Sequence, residues 1–233
     1  MQDIGFDVIG DLFLEPNSSF NWENKASSLY CVITGNISSD IKTIIQTLAH
    51  LSKFYQGVFF VPGQLEYSGT SDLRTRTNQL LSISTIIPNV KLLYNQVIII
   101  NGVAVIGSNC WNAAGYTDNL RNAELTAARF EDIAYLRHAI QRLQRHVDVK
   151  KILVVTNAVP NESLYFGEVP EIVDAQIPID VILSQDSEHK ISHWAFGSYE
   201  KIVDVTKDNI NYVCNPYNIN ANIYYAKRLT ILV

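Results

Sequence analysis

Residues Gly57–Tyr67 read GVFFVPGQLEY: an apolar run, a Pro-Gly stop, then a polar cluster ending in a glutamate and a tyrosine. A short run of β-branched and aromatic residues halted by Pro62-Gly63 predicts a strand over Val58–Val61 that ends in a turn. No polar residue alternates inside the run, so the strand is expected to be buried on both faces. In α/β sheets ligands collect just beyond the carboxyl ends of strands. Gln64, Leu65 and Glu66 therefore stand where chemistry would sit.

The same design recurs on both sides of this stretch. Apolar runs predict strands at Phe6–Gly10, Leu29–Thr34, Lys91–Tyr94, Gln96–Ile100, Val103–Gly107, Ile152–Thr156, His193–Phe196, Lys201–Val205, Asn211–Cys214 and Arg228–Val233. Ile41, Ile44, Ile45, Leu48 and Ala49 recur at helical spacing after Ser38 or Ser39, either of which is read as the cap. A shorter helix is expected over Ser71–Leu81. A longer one is expected over Asn119–Val147, with its apolar stripe on Leu120, Ala123, Ala127, Phe130, Ala134 and Ile140. Arg129, Glu131 and Asp132 are read as its solvated face. Two mixed β-sheets packed face to face, with helices outside, satisfy both the buried strands and the helices between them. Residues 1–233 carry no repeat or linker and are read as a single domain.

Composition narrows the function. The chain has 233 residues, 47% of them hydrophobic and 18% charged, with a formal net charge of −5. Phosphate partners call for a basic surface, so neither a nucleic-acid nor an anionic-membrane partner is expected. Cys31, Cys110 and Cys214 form no CxxC pair and are read as buried thiols. No signal peptide opens the sequence, so a cytoplasmic place, or one inside a viral particle, is expected. Apolar runs such as Val97–Ile100 are too short to span a bilayer. Frequent asparagine and a lone Met1 are the compositional hint of a viral or A·T-rich origin. His189 and His193 are four apart, but His193 falls in a predicted strand, where that spacing does not converge on a metal. There is no Gly-rich phosphate loop and no Ser/His/Asp or Cys/His arrangement.

Read in order, the strand ends are Gly10-Asp11-Leu12-Phe13, Thr34-Gly35-Asn36, Pro62-Gly63-Gln64-Leu65-Glu66-Tyr67, Thr156-Asn157-Ala158 and Phe196-Gly197-Ser198-Tyr199-Glu200. This series resembles the calcineurin-like metallophosphoesterases, whose pattern is D-x-H, G-D, G-N-H-E, a histidine after a strand, and G-H-x-H. Asn101–Trp111, the Trp194–Gly197 segment and Val213–Pro216 extend the likeness, which runs from about Asp3 to Asn218. The resemblance implies a four-layer sandwich and, in intact members, two metal ions ~4 Å apart that clamp a phosphate and activate water.

Carried over position by position, the metal site is depleted. Asp11 matches the first aspartate and Glu66 the last residue of G-N-H-E. Phe13 stands for the first histidine, Asn36 for the bridging aspartate, Gln64 for an asparagine and Leu65 for the catalytic histidine. Asn157, Ser198 and Glu200 replace the remaining histidines; Gln185–Glu188 is the other segment that fits the last motif, and it too lacks both histidines. No catalytic or metal-ligating residue is expected, and no cofactor beyond a weak calcium or magnesium at Asp11 and Glu200. The chain reads as a non-catalytic member of an enzyme fold, a structural or protein-interaction module, as in the family's retromer subunit. A virion component is one form of this. The alternatives are a residual single-metal phosphoesterase and a small-ligand sensor using the remnant pocket. Candidate contacts are Phe13, Phe20 and Trp22 in the loop 13–27, and Tyr217, Tyr224 and Tyr225 in the C-terminal tract.

Overall fold

The structure, a computed structural model, describes residues 3–69, 72–111, 119–164, 177–217 and 224–233. The quoted stretch forms strand β3 (Gly57–Phe60), and its side chains part to two sides. Val58 and Phe60 join an outer core under helices, whereas Phe59 and Val61 enter a core between two sheets. That two-sided burial is why no polar residue breaks the run.

β1 (Asp3–Ile9), β2 (Tyr30–Ile33), β3 and β4 (Val90–Leu92) run parallel, and β11 (Lys227–Leu232) closes this sheet antiparallel to β1. The second sheet has the order β5 (Gln96–Ile100), β6 (Val103–Ser108), β7 (Lys151–Thr156), β8 (Ile191–Phe196), β10 (Ile210–Cys214) and β9 (Val203–Lys207). Its central strands are parallel and both edges antiparallel. Phe6, Val8 and Val32 face Val105, Leu153 and Val213 between the sheets. Helices α1 (Ile41–Leu51) and α2 (Leu73–Ile86) cover one outer face. Helices α3 (Asn119–Gln144) and α4 (Ile179–Leu183) cover the other. The result is the expected sandwich of two mixed sheets flanked by helices.

Several local expectations are corrected. The cap of α1 is Asp40, whose carboxylate accepts from Thr43 N; Ser38 instead donates to Leu14 O and holds the loop after β1. α3 is rotated from the expected stripe: Ala123, Ala127 and Ala134 are exposed and Phe130 is 69% exposed. Ile140 is buried as expected, but its buried companions are Leu125, Ile133, Leu136, Ala139 and Leu143, because leucine and isoleucine remove more apolar area from water than alanine does. Asp132 is buried as well. The strand expected at Lys201–Val205 lies two residues later, since Asp208 and Asn209, at φ of 52° and 62°, form the two-residue turn joining β9 to β10. The expectation for Leu120's side chain lies outside the described residues. All three cysteines are free and buried, and no described helix is long and apolar enough to cross a membrane.

The aromatic contact candidates divide. Trp22 is fully buried, donates from Nε1 to Tyr55 Oη at 2.8 Å, and stacks on Phe20. Tyr224 is buried against Trp22 and Tyr217. These four rings pack the loop after β1 onto the C-terminal tract, because a large aromatic surface is worth more inside than in water. Phe13 and Tyr225 remain exposed, at 56% and 63%.

Candidate functional site

The carboxyl ends of β1, β2, β3, β7 and β8 lie together, and each delivers one polar residue: Asp11, Asn36, Glu66, Asn157 and Ser198. Close backbone approach explains the glycines beside them. A Cβ on Gly63 would lie 2.4 Å from Asn36 Oδ1, and one on Gly35, at φ +95°, would lie 2.6 Å from Gly63 N. Asp11, Phe13, Asn36 and Ser198 hold φ of 46–58°, the left-handed region that non-glycine residues adopt at some cost in strain.

The polar groups are tied to one another. Asn36 Nδ2 donates to Asp11 Oδ1 at 2.7 Å and to Ser198 Oγ at 3.2 Å. Ser198 N also donates to Asp11 Oδ1, at 3.1 Å, and Ser198 Oγ donates to Asn157 Oδ1 at 2.9 Å. Asn157 Nδ2 donates to Thr34 O at 2.7 Å, and Asn36 Oδ1 accepts from Leu65 N at 3.1 Å. The Glu66 carboxylate accepts from the backbone N–H groups of Asn36, Ile37 and Gly63. Burial pushes the Asp11 carboxyl up to about 6, against the donors Asn36 and Ser198 N, which hold it down. Burial likewise lifts Glu66 to about 7, against its backbone donors.

The other sequence candidates are less engaged. Gln64 and Leu65 are half-buried at the start of a 3-10 turn, Leu65–Tyr67. Phe13 and Glu200 are exposed, and Glu200 takes no part in the hydrogen bonds of this cluster. Gln185–Glu188 lies at the far end of β8, where Asp186 accepts from Lys190 N and Ile191 N; the segment 197–200 is the one at the site. His189 lies before β8, and His193 sits within it, held down at about 4 by burial.

Asn109 carries no expectation from the sequence, and Asp132, expected on the solvated face of α3, is buried. Asn109, 1% exposed, donates to Pro62 O at 2.6 Å. Asp132 accepts from Cys110 N and Asn95 Nδ2, so α3 is fastened to the end of β6; a carboxylate out of phase with the exposed face of its helix was the available signal.

These residues do not fit a two-ion centre. Asn36 turns an N–H, not an oxygen, toward Asp11, and the oxygens of Glu66 are committed to the backbone. Asp11 Oδ2 is buried without a hydrogen-bond partner and is a lone uncommitted carboxylate oxygen in the cluster. Among the described residues no group of three or more His, Cys, Asp or Glu side chains is placed to hold a metal ion.

No protein-family model matches the chain, and no curated protein matches it. Solved structures do. The phosphopantetheinyl hydrolase of Mycobacterium tuberculosis superposes with a TM-score of 0.65 at 12% identity, over 92% of this chain and 90% of that one. A Staphylococcus aureus protein provisionally named a 5′-nucleotidase, in complex with alpha-ketoglutarate, gives 0.57 at 12%, over 92% of this chain and 49% of its own. GAP50 of Plasmodium, described as the anchor in the inner membrane complex, gives 0.55 at 10%, over 97% and 77%. With its two mixed sheets, flanking helices and site at the strand ends, the chain has the metallophosphoesterase fold.

Proposed function

We propose that this chain uses the metallophosphoesterase fold without two-metal phosphoester hydrolysis, as a structural or protein-interaction module. The observation that carries the reading is the Asn36 amide. It donates to Asp11 and Ser198 across the position where the family resemblance asks for a bridging carboxylate. A two-ion centre needs anionic or imidazole donors facing inward; here amides and a hydroxyl satisfy one another. A neighbour of the same fold described as an anchor, GAP50, supports use of the fold for assembly. The asparagine-rich composition is the ground for placing such a module in a phage or viral particle.

The test is hydrolysis of bis(p-nitrophenyl) phosphate and p-nitrophenyl phosphate by the purified chain with manganese, zinc or magnesium. Rates at background are expected with each metal. Metal-dependent turnover that disappears in Asp11→Ala would overturn the reading. The uncommitted Asp11 Oδ2 favours one second reading, a single calcium or magnesium held by oxygen donors. Calorimetric titration decides that reading: heat lost in Asp11→Ala supports it, and no heat sinks it.

A further inference from the structure

Four strands lie at the sheet edges, and three carry charge: Lys91 in β4, Asp204 and Lys207 in β9, and Lys227 and Arg228 in β11. The fourth, β5, reads QVIII and carries no charge, no proline and no bulge. Charge on an edge strand blocks pairing with a further strand, so an edge left bare is an edge left open. β5 pairs on one side with β6, from Gln96↔Gly107 to Ile100↔Val103. Its outward N–H and C=O groups have no hydrogen-bond partner among the described residues.

A groove of about 430 Å³ runs beside this edge, between Val97 and Ile99 of β5 and Leu143, Arg142 and His146 on the α3 side. Ile99 is 41% exposed there. The floor is apolar and the rim basic. Arg145, Lys150 and Lys190 continue the basic surface past the end of α3, where Glu188 is the single acid among the lining residues. Arg142 has no ion-pair partner among the described residues.

We propose that β5 receives an extended acidic and apolar segment of a partner protein, which adds to the sheet as a further strand. Main-chain hydrogen bonds to the bare edge hold the segment. Alternate side chains enter the groove over Val97, Ile99 and Leu143, while its carboxylates reach Arg142 and His146. A second copy of this chain fits worse, because two-fold pairing of β5 with itself sets the Arg142 side chains of both copies along one seam. This proposal rests on the interaction reading above and gives it a location.

The test uses the full chain and a labelled octapeptide alternating valine and glutamate, with a control carrying lysine for glutamate. Binding is followed by fluorescence anisotropy and by amide hydrogen exchange. The acidic peptide is expected to bind, to slow exchange in 96–100, and to bind at least about tenfold more weakly to Ile99→Asp and to Arg142→Glu. Arg142→Glu, on the exposed helix surface, is expected to unfold at the wild-type temperature and so separates binding from folding. Three results overturn the proposal: unchanged exchange in 96–100, equal binding of the lysine peptide, or a dimer of the free chain that Ile99→Asp dissolves. Phosphodiesterase activity would overturn the non-catalytic reading and leave the β5 result standing; the two failures are therefore distinguishable.

Discussion

At Asn36 a single amide reaches three strand ends: its oxygen takes Leu65 N, and its nitrogen serves Asp11 and Ser198. The carboxyl it faces is buried and lifted to about 6, above the ordinary value near 4. A carboxyl raised on folding binds its proton more tightly in the native state. Its contribution to stability is therefore complete below about pH 4 and is lost as pH rises through about 6. At ~1.4 kcal/mol per pH unit this amounts to about 3 kcal/mol. Asp11→Asn keeps an acceptor for Asn36 and Ser198 N and removes the titration. The wild type is expected to lose stability relative to this variant between pH 4 and pH 7, measured by urea unfolding across pH; a constant difference would refute the assignment. The strand-end motifs already marked Asp11, Asn36, Asn157 and Ser198 in the sequence. The hydrogen-bond direction at Asn36, which separates a ligand from a strut, was not legible there, because an amide presents either an oxygen or an N–H.

Among the elements, α3 shows where periodicity fails. Its alanines suggested a stripe through 123, 127 and 134, but alanine buries too little area to orient a helix. Leu136, Ile140 and Leu143 set the face, and Asp132 locks it by accepting from Cys110 N and Asn95 Nδ2. Asp132→Ala leaves the buried Cys110 N–H and the half-buried Asn95 amide without an acceptor, an expected loss of about 2 kcal/mol. In urea unfolding the midpoint should fall with the slope unchanged; a shift within error would show that α3 is held by its apolar face alone. Strands were legible to within three residues at each end, and most closely where two buried faces leave an unbroken apolar run. The end of β9 was less so, because the φ of Asp208 and Asn209 sets that hairpin.

For the molecule as a whole the question is what joins the two sheets at their functional end. Hydrogen bonds cross between them there: Asn157 Nδ2 to Thr34 O, Asn36 Nδ2 to Ser198 Oγ, and Asn215 Nδ2 to Val8 O at 2.9 Å. At the same end Lys227 of β11, beside Val8, pairs with Asp204 of β9, beside Val213. A junction built from the chain's own side chains needs no ion. A chelator is therefore expected to leave the melting temperature unchanged, whereas Asn157→Ala, which deprives Thr34 O of its buried donor, should cost about 2 kcal/mol. A melting temperature that falls with chelator and recovers with added metal would show that an ion binds the native state.

The residue order alone carried the layer architecture, the strand ends where polar residues gather, and the depletion of histidines at those ends. Each of these depends on residue type and local period, which a linear chain displays. Three features appeared with the packed molecule: the burial of Trp22 and Asp132, the self-satisfied bonding of Asn36, and the bare edge of β5 beside α3. Each depends on which distant segments meet, and in which orientation, and local periodicity does not encode that meeting.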